Sequence, residues 1–401
     1  MVDGKLNGSV LELTFSGRIE STNSAEADAA VQKLTAENPH DSIRIDADAL
    51  TYISSAGLRV LMRLQKGEKN KISVINVSPE VYDIFDMTGF SQLLDVKKKL
   101  RFVSTEGLEL IGRGGNGNVY RLDRDTMIKS FYNVKDVADI DRGREYARTA
   151  FILGIPTAIS YETVKCEEGY GTLFELLHAK PLSDVIMEDE EHREEYIDKY
   201  LDMLIQLHTT ETEPGSFPDM IEVLDSVLEQ YAKPFVTEAE YDLLQRFLRS
   251  IPKRNTIVHG DFHTHNIMVQ DGELILIDMD DICVGHPVIE LGGMLLSYYF
   301  LPKFGSPEAK AAFLHLSDEV SYHVWDRTMR RYFNTNDEAK LAEYNKLLLP
   351  YMNFRKFTHS VVRPMDDALR SKVLENDRRT TFPMLEQAMK EQDFLKEMPI
   401  L

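Results

Sequence analysis

The sequence predicts an α+β protein in two parts: an α/β domain over residues 1–100, then a larger region that is strand-rich over 106–176 and helical over 177–401. Three observations carry that prediction. Over the first hundred residues the apolar positions switch repeatedly between a period of two and a period near 3.6. Between Lys97 and Glu106 the chain turns polar and its charge balance changes. Beyond that point a glycine-rich hairpin opens a run of strands, and amphipathic helical stretches fill the rest. A chain of 401 residues also exceeds one ordinary domain of about 100–200 residues.

Charge and composition narrow the classes of partner. Residues 1–100 hold 12 Lys+Arg against 14 Asp+Glu, and the remainder holds 34 against 52. Such an acidic excess repels phosphate backbones and anionic lipid, so nucleic acid and membrane are not expected as partners and a cationic substrate is mildly favoured. An acidic surface kept for solubility explains the same numbers. The longest nearly apolar stretch, Leu291–Leu301, is well short of the roughly 20 residues a membrane span needs. The first residues lack the basic-then-apolar pattern of a secretory signal. Two cysteines, Cys166 and Cys283, fit a reducing cytoplasm rather than a disulfide framework, and a cytoplasmic location is expected.

Within the first hundred residues, Leu11, Leu13 and Phe15 alternate with Glu12 and Thr14, the period of a half-buried strand. Ala27, Ala30, Val31 and Leu34 follow at helical spacing, and Asn38-Pro39 stops that segment. Ile43 and Ile45 mark a further strand, and Tyr52-Ile53 leads into Ser54-Ser55-Ala56-Gly57 and a helix through Leu58, Leu61 and Met62. Ile72, Val74 and Val77 give another strand, and Val81, Ile84 and Phe85 another helix. One layer of helices against a sheet is the economical architecture.

This order of elements, the run Leu50-Thr51-Tyr52-Ile53-Ser54-Ser55-Ala56-Gly57-Leu58 and the run Phe85-Asp86-Met87-Thr88-Gly89-Phe90 resemble the STAS domain of bacterial anti-sigma-factor antagonists. The resemblance implies an interaction domain with an anti-sigma-type protein partner, and it implies that Ser55 is the serine a partner kinase phosphorylates. Here Ser54 stands where that family usually has an aspartate. A second reading of the pair is purely local, with Ser54 or Ser55 capping the helix that follows.

In the second part, Gly112, Gly114 and Gly117 form a G-x-G-x-x-G, a string shared by dinucleotide folds and by phosphate-covering flaps. The residues after it separate the two. Val119, Tyr120 and Leu122 continue as a strand and Met127-Ile128-Lys129 begin another, whereas a dinucleotide turn opens a helix. The order is that of a flap over a nucleotide, with Val119 beneath the base and Lys129 reaching the phosphates. Glu145, 16 residues further on in an amphipathic segment, is the expected carboxylate partner of Lys129; the plainer reading makes it a solvated helix acid. Thr157–Val164 and Gly171–Leu176 read as strands, and the run Leu173-Phe174-Glu175-Leu176-Leu177 is the expected hinge, with Glu175 among the nucleotide-binding residues.

The strongest signal is His259-Gly260-Asp261-Phe262-His263-Thr264-His265-Asn266. Asp261 and Asn266 have the H-x-D-x-x-x-x-N spacing in which the acid orients an attacking hydroxyl and the amide oxygen binds magnesium. Asp271-Gly272 reads as a tight hairpin turn, and the apolar run Leu274–Ile277 brings Asp278 back to the loop as a second magnesium ligand. A rival reading makes His259, His263 and His265 a zinc site. Together with Gly285-His286-Pro287-Val288-Ile289-Glu290-Leu291, these residues resemble the aminoglycoside phosphotransferase and choline kinase group of protein-kinase-like enzymes. That resemblance implies a bilobal kinase-like fold and transfer of a phosphoryl group from ATP, with magnesium, to a hydroxyl of a small molecule or a protein. Glu290 is expected to anchor the Asp261 loop, and His208 to be a buried helix residue. The alternative function is a nucleotide-binding pseudokinase that signals through the STAS domain.

Overall fold

The computed structural model describes residues 1–401 except 115–116, 133–136, 307–309, 311–313, 364, 392 and 399–401. Two compact units emerge, one of residues 1–106 with 163–170, the other of residues 107–162 with 171–401. Among the described residues no helix is long and apolar enough to cross a membrane.

The first unit is built on a five-stranded sheet of β1 (Val2–Asn7), β2 (Val10–Phe15), β4 (Ser42–Asp46), β6 (Ser73–Val77) and β7 (Asp95–Lys98), in that spatial order. β1 pairs antiparallel with β2 and the other neighbours are parallel. A short parallel pair, β3 (Gly17–Ile19) with β5 (Leu50–Ile53), stands apart from it. The helices are α1 (Ser24–Glu37), α2 (Ser55–Gly67), α3 (Pro79–Met87) and α4 (Phe90–Leu93). Leu11, Leu13 and Phe15 of β2 and Ile43 and Ile45 of β4 are buried, while Thr14 and Arg44 between them are exposed. One face of the sheet therefore carries the helices. Val31, Leu58, Leu61, Val81 and Phe85 complete a single core on that side.

α2 starts as its sequence requires. Ser54 is extended, and its hydroxyl accepts from the Gly57 N–H at 3.4 Å, satisfying one of the helix's free amides. Ser55 is the exposed first residue of the helix. Gly57 sits where a Cβ would come within 2.7 Å of Ile53 Cγ1 and 2.8 Å of Ile19 Cγ2.

A second five-stranded sheet runs in the order β8 (Glu109–Arg113), β9 (Gly117–Arg121), β10 (Thr126–Phe131), β12 (Gly169–Glu175) and β11 (Ser160–Cys166), and α5 (Val137–Ile152) lies between β10 and β11 in the chain. Helices make up most of the remainder: α6 (Leu182–Glu188), α7 (Arg193–Thr209), α8 (Met220–Val227), α9 (Glu238–Ser250), α10 (Val288–Leu295) and long helices over Asp318–Tyr332, Glu338–Val362 and Asp367–Ala388. Two small sheets lie among them. One pairs Lys180–Pro181, Ile267–Gln270 and Glu273–Leu276; the other pairs Ile257–Val258 with Cys283–Val284. The turn Asp271-Gly272 has φ of 53° and 82°, the double positive geometry of a tight hairpin. Leu276 joins the lobes of the second unit, donating to Pro156 O at 2.8 Å and accepting from Ala158 N at 3.4 Å. Cys166 and Cys283 are both buried thiols.

Because the Gly57 Cβ position is filled by two isoleucines, Gly57→Ala should destabilise the first unit by about 1–3 kcal/mol. Calorimetry should show one thermal transition lowered and the other unmoved.

Candidate active site

The loop between Ile257–Val258 and Ile267–Gln270 carries Asp261 and Asn266, and its shape is set from below by a buried carboxylate. Glu290, only 4% exposed on α10, accepts from His259 N at 3.2 Å and from Gly260 N at 2.6 Å. His208 of α7 contacts it through Nε2 at 2.8 Å and has Tyr332 Oη at 3.1 Å on its other nitrogen. Burial raises the Glu290 carboxyl, but the His208 hydrogen bond and charge, with the His259 N–H, outweigh it, so its pKa lies below the usual value. Both expectations for this pair are met in space: Glu290 holds the loop, and His208 is a buried helix residue.

Gly260 has φ of 86°, and a Cβ there would lie 2.7 Å from the Asp281 carbonyl oxygen. Glycine is thus required for the loop to pass under the Met279–Asp281 turn. Arg355, from the helix Glu338–Val362, donates to the Gly260 carbonyl. The His259 ring fixes the loop's other edge. Ile277 O can only accept, so His259 Nε2 donates to it at 3.2 Å, and Nδ1 accepts the Asp261 N–H at 3.3 Å. Thr264 N donates to Tyr298 Oη at 2.8 Å, and Tyr298 contacts Tyr200 at 3.0 Å in the buried core.

Held this way, Asp261 presents its carboxylate beside His263 Nε2 at 3.4 Å, while Asn266 Nδ2 donates to Asp261 O at 3.0 Å and to Oδ2 at 3.4 Å. Burial works to raise the Asp261 pKa, yet His263, Arg355 and His259 together hold it well below the ordinary carboxylate value. Asp261 is therefore ionised at neutral pH. The Asn266 N–H2 end faces Asp261, so its amide oxygen is the atom left for another ligand.

Asp278 follows the Ile277 N–H, which donates to Asn266 O at 2.9 Å, and adopts φ of 61°, a left-handed conformation uncommon outside glycine. Lys129 of β10 reaches it from the other lobe. Its ammonium lies 2.8 Å from Asp278 Oδ1 and 2.9 Å from Asp280 Oδ2. Burial lowers the Lys129 pKa, but the two aspartates raise it by more, so the amine stays protonated. The Asp278 carboxyl, raised by burial and lowered further by Lys129, lies below its usual value. Across the sheet, Lys129 pairs with Val119 on one side and Thr172 on the other, which puts Val119 and Lys129 on one face.

Two of the expected site residues make other contacts here. Glu145 is not the partner of Lys129; its carboxylate is 64% exposed and lies 3.6 Å from Arg148. At about 100° per residue, the buried Ile140, Ala147 and Ala150 of α5 fall in one arc, and Glu145 projects from the far side. Glu175, expected to bind nucleotide at the hinge, is used within the sheet instead. Its N–H donates to Ile159 O at 3.0 Å and its side chain accepts from Ile159 N at 2.8 Å, so that N–H is not available to a base. The glycines divide. Gly114 N closes the hairpin on Gly117 O at 2.9 Å, Gly112 pairs with Val119, and Gly117 is required because a Cβ there would collide with Ser130 O. The tip, 115–116, lies outside the described residues. The zinc reading also fails: His259 goes to Ile277 O, His263 to Asp261, and His265 to Ser183 Oγ at 3.3 Å. Among the described residues no group of three or more His, Cys, Asp and Glu is arranged to hold a metal. Sequence reasoning missed Asp280 and Arg355; the repeated acid in Asp278-Met279-Asp280-Asp281 was a signal for the first, and nothing local pointed to the second.

Residues 113–329 match the model of the phosphotransferase enzyme family, and residues 2–95 match the STAS domain model described as Mlab, STAS domain. The first match spans more than half of the chain, so the protein belongs to the phosphotransferase enzyme family, with a STAS domain ahead of it. Its α+β architecture is thus a STAS-like α/β region followed by a kinase-like fold. Similar solved structures include the ADP-bound aminoglycoside phosphotransferase APH(2'')-Ib, at 15% identity and TM-score 0.45, covering 70% of this chain and 94% of that one. A choline/ethanolamine kinase family protein from Mesorhizobium loti is similar at 14% identity and TM-score 0.40, covering 74% and 90%. An anti-sigma factor antagonist from Mycobacterium paratuberculosis is similar at 18% identity and TM-score 0.23, covering 24% and 84%. No curated protein matched.

The segment leading into α10 carries a pH-sensitive group. His286 is buried, its Nε2–H donating to Leu395 O at 3.1 Å and its Nδ1 accepting from Val288 N at 3.2 Å. Burial, with the Arg254 charge, pushes its pKa down to about 4. The folded value lies below the unfolded one of about 6.5, so the stabilisation is complete above about pH 6.5 and is lost as pH falls toward 4. Denaturant titrations at pH 7 and pH 5 should show the wild type losing about 2 kcal/mol more than His286→Gln.

Proposed function

We propose that the protein transfers the γ-phosphoryl group of ATP to a hydroxyl, with its STAS domain serving a protein partner. The observation that supports this most is the meeting of Lys129 with the Asp261–Asp278 segment, far along the chain. Lys129 meets Asp278, and the Asp261–Asn266 pair lies one hydrogen-bonded strand away. Lys129 would steady the phosphates from the sheet, with Gly112, Gly114, Gly117 and Val119 forming the cover above them.

Asp261 would receive the acceptor's O–H as a hydrogen-bond acceptor. Its depressed pKa makes it a weak base, which suits a loose transition state that needs orientation more than early deprotonation. The acceptor oxygen bonds to the γ-phosphorus as the bond to the β–γ bridging oxygen breaks. The hydroxyl proton passes to Asp261 and then to solvent, and ADP leaves. The donor set of Asp278 and the Asn266 amide oxygen fits magnesium, a hard cation that would neutralise phosphate charge. Acidic side chains at Asp261, Asp278, Asp280 and Asp281 favour an amine-bearing small molecule as acceptor over an anionic one.

A pseudokinase reading, in which nucleotide binds without transfer, draws on the outward position of Glu145. Labelled ATP separates the two, since transfer moves label into an acceptor or the chain. Asp261→Asn should abolish turnover and leave ATP binding within about two-fold, whereas Asp278→Ala should remove the magnesium dependence of binding. Full turnover by Asp261→Asn would overturn the assignment.

For the STAS domain, Ser55 is proposed as a phosphorylation site. It is exposed at the first turn of the 13-residue helix α2, where free amides and the positive dipole end favour an added phosphate. Mass spectrometry of protein from its native cells should find Ser55 phosphorylated, and Ser55→Asp should alter partner capture. An unmodified Ser55 with unchanged capture leaves the hydroxyl no switching role.

A further inference from the structure

Lys129 lies between two aspartates, and only one of them is needed for the phosphate side of the proposed reaction. We propose that Asp280 is the positioning residue that holds Lys129, in place of a carboxylate from α5. The proposal rests on the phosphotransferase reading of this site and deepens it.

Helix geometry supports the assignment first. For Glu145 to take the place of Gly143 at the turn, α5 would have to rotate by about 160°. That rotation would lift Ile140, Ala147 and Ala150 out of their buried positions and expose apolar surface. On the arc of α5 that carries Gly143, the acid at i−4, Asp139, is exposed and paired with Arg142, and Gly143 itself faces the turn. A Cβ on Gly143 would lie 3.9 Å from Asp280 Oδ1. The helix thus approaches the Met279–Asp281 turn with a bare backbone, and the carboxylate comes from the turn itself.

Division of labour between the two acids supports it second. Asp278 has the left-handed φ of 61° and follows directly on the strand that is hydrogen-bonded to Asn266, so it belongs with the Asp261–Asn266 loop. Asp280 stands one residue beyond its neighbour Met279, on the side of α5 and Lys129. When the Asp278 carboxylate turns to phosphate chemistry, Asp280 remains to keep the ammonium in place. An ion pair at 2.9 Å with the lysine only 18% exposed is sheltered enough for its removal to register.

The test uses the full chain and two readouts. The first needs no nucleotide: the rate at which Lys129 is acylated by an N-hydroxysuccinimide ester, followed by peptide mass spectrometry. Loss of one carboxylate partner leaves the amine less tightly held and more accessible to the reagent, so Asp280→Asn and Asp280→Ala should label at least about three-fold faster than wild type. Asp280→Glu should restore slow labelling, and Glu145→Gln should match wild type. Thermal melting confirms that each variant is folded, and Asp280→Ala covers the case in which the asparagine keeps a hydrogen bond to Lys129. The second readout is the dissociation constant for magnesium-ATP, expected to rise about ten-fold in Asp280→Asn and to stay within two-fold in Glu145→Gln. If Glu145→Gln accelerates labelling as much as Asp280→Asn, or if neither Asp280 variant does, the proposal is overturned. If wild type binds no nucleotide, the phosphotransferase reading fails, while the labelling rates still decide which acid holds Lys129.

Discussion

The Glu290 carboxylate is the fixed point of the kinase-like half of this protein. A carboxylate taken out of water is tolerated only when its lone pairs are used, and here two consecutive backbone amides and a histidine use them. Those amides belong to His259 and Gly260, so the requirement to satisfy one buried charge dictates the path of the chain just before Asp261. Gly260 then has to be glycine, and the following residues can turn outward with Asp261 at the surface of the cleft. Buried tyrosines and Arg355 fasten the same loop from other helices. An acid that performs no chemistry thereby sets the position of the acid that is proposed to do so.

Charge at the front of the site is arranged differently. Lys129 is kept protonated by Asp278 and Asp280, the Asp278 carboxyl is lowered in turn by Lys129, and Asp261 is lowered by His263, Arg355 and His259. Such an arrangement stays charged near neutral pH and can exchange partners without exposing a buried group.

How much was legible varies by the kind of signal. Strands with one buried face declared themselves through alternation, as in Leu11, Leu13 and Phe15 or Ile43 and Ile45. The edge strands Val2–Asn7 and Asp95–Lys98 did not, because an edge needs one partner and is made of polar residues that alternate with nothing. Lys97 and Lys98 read as a boundary and are in fact part of a strand. The Asp261–Asn266 spacing and the Asp271-Gly272 turn were legible because both are local geometry, fixed within a few residues.

Sequence by itself determined the family-level plan: a STAS domain, then a kinase-like region with its lysine, its glycine hairpin and its loop acids in order. These follow from short-range periodicity and from motifs whose members are neighbours in the chain. Tertiary structure alone decided which acid meets Lys129, since a helix 16 residues away can present any of its faces and burial of Ile140, Ala147 and Ala150 chose the one that turns Glu145 out. It also decided that Glu175 closes on Ile159 and that Arg355, 95 residues beyond Gly260, completes the loop. Contacts of that kind depend on how helices pack, which is set by the summed shape of a whole core and leaves no local mark in the chain.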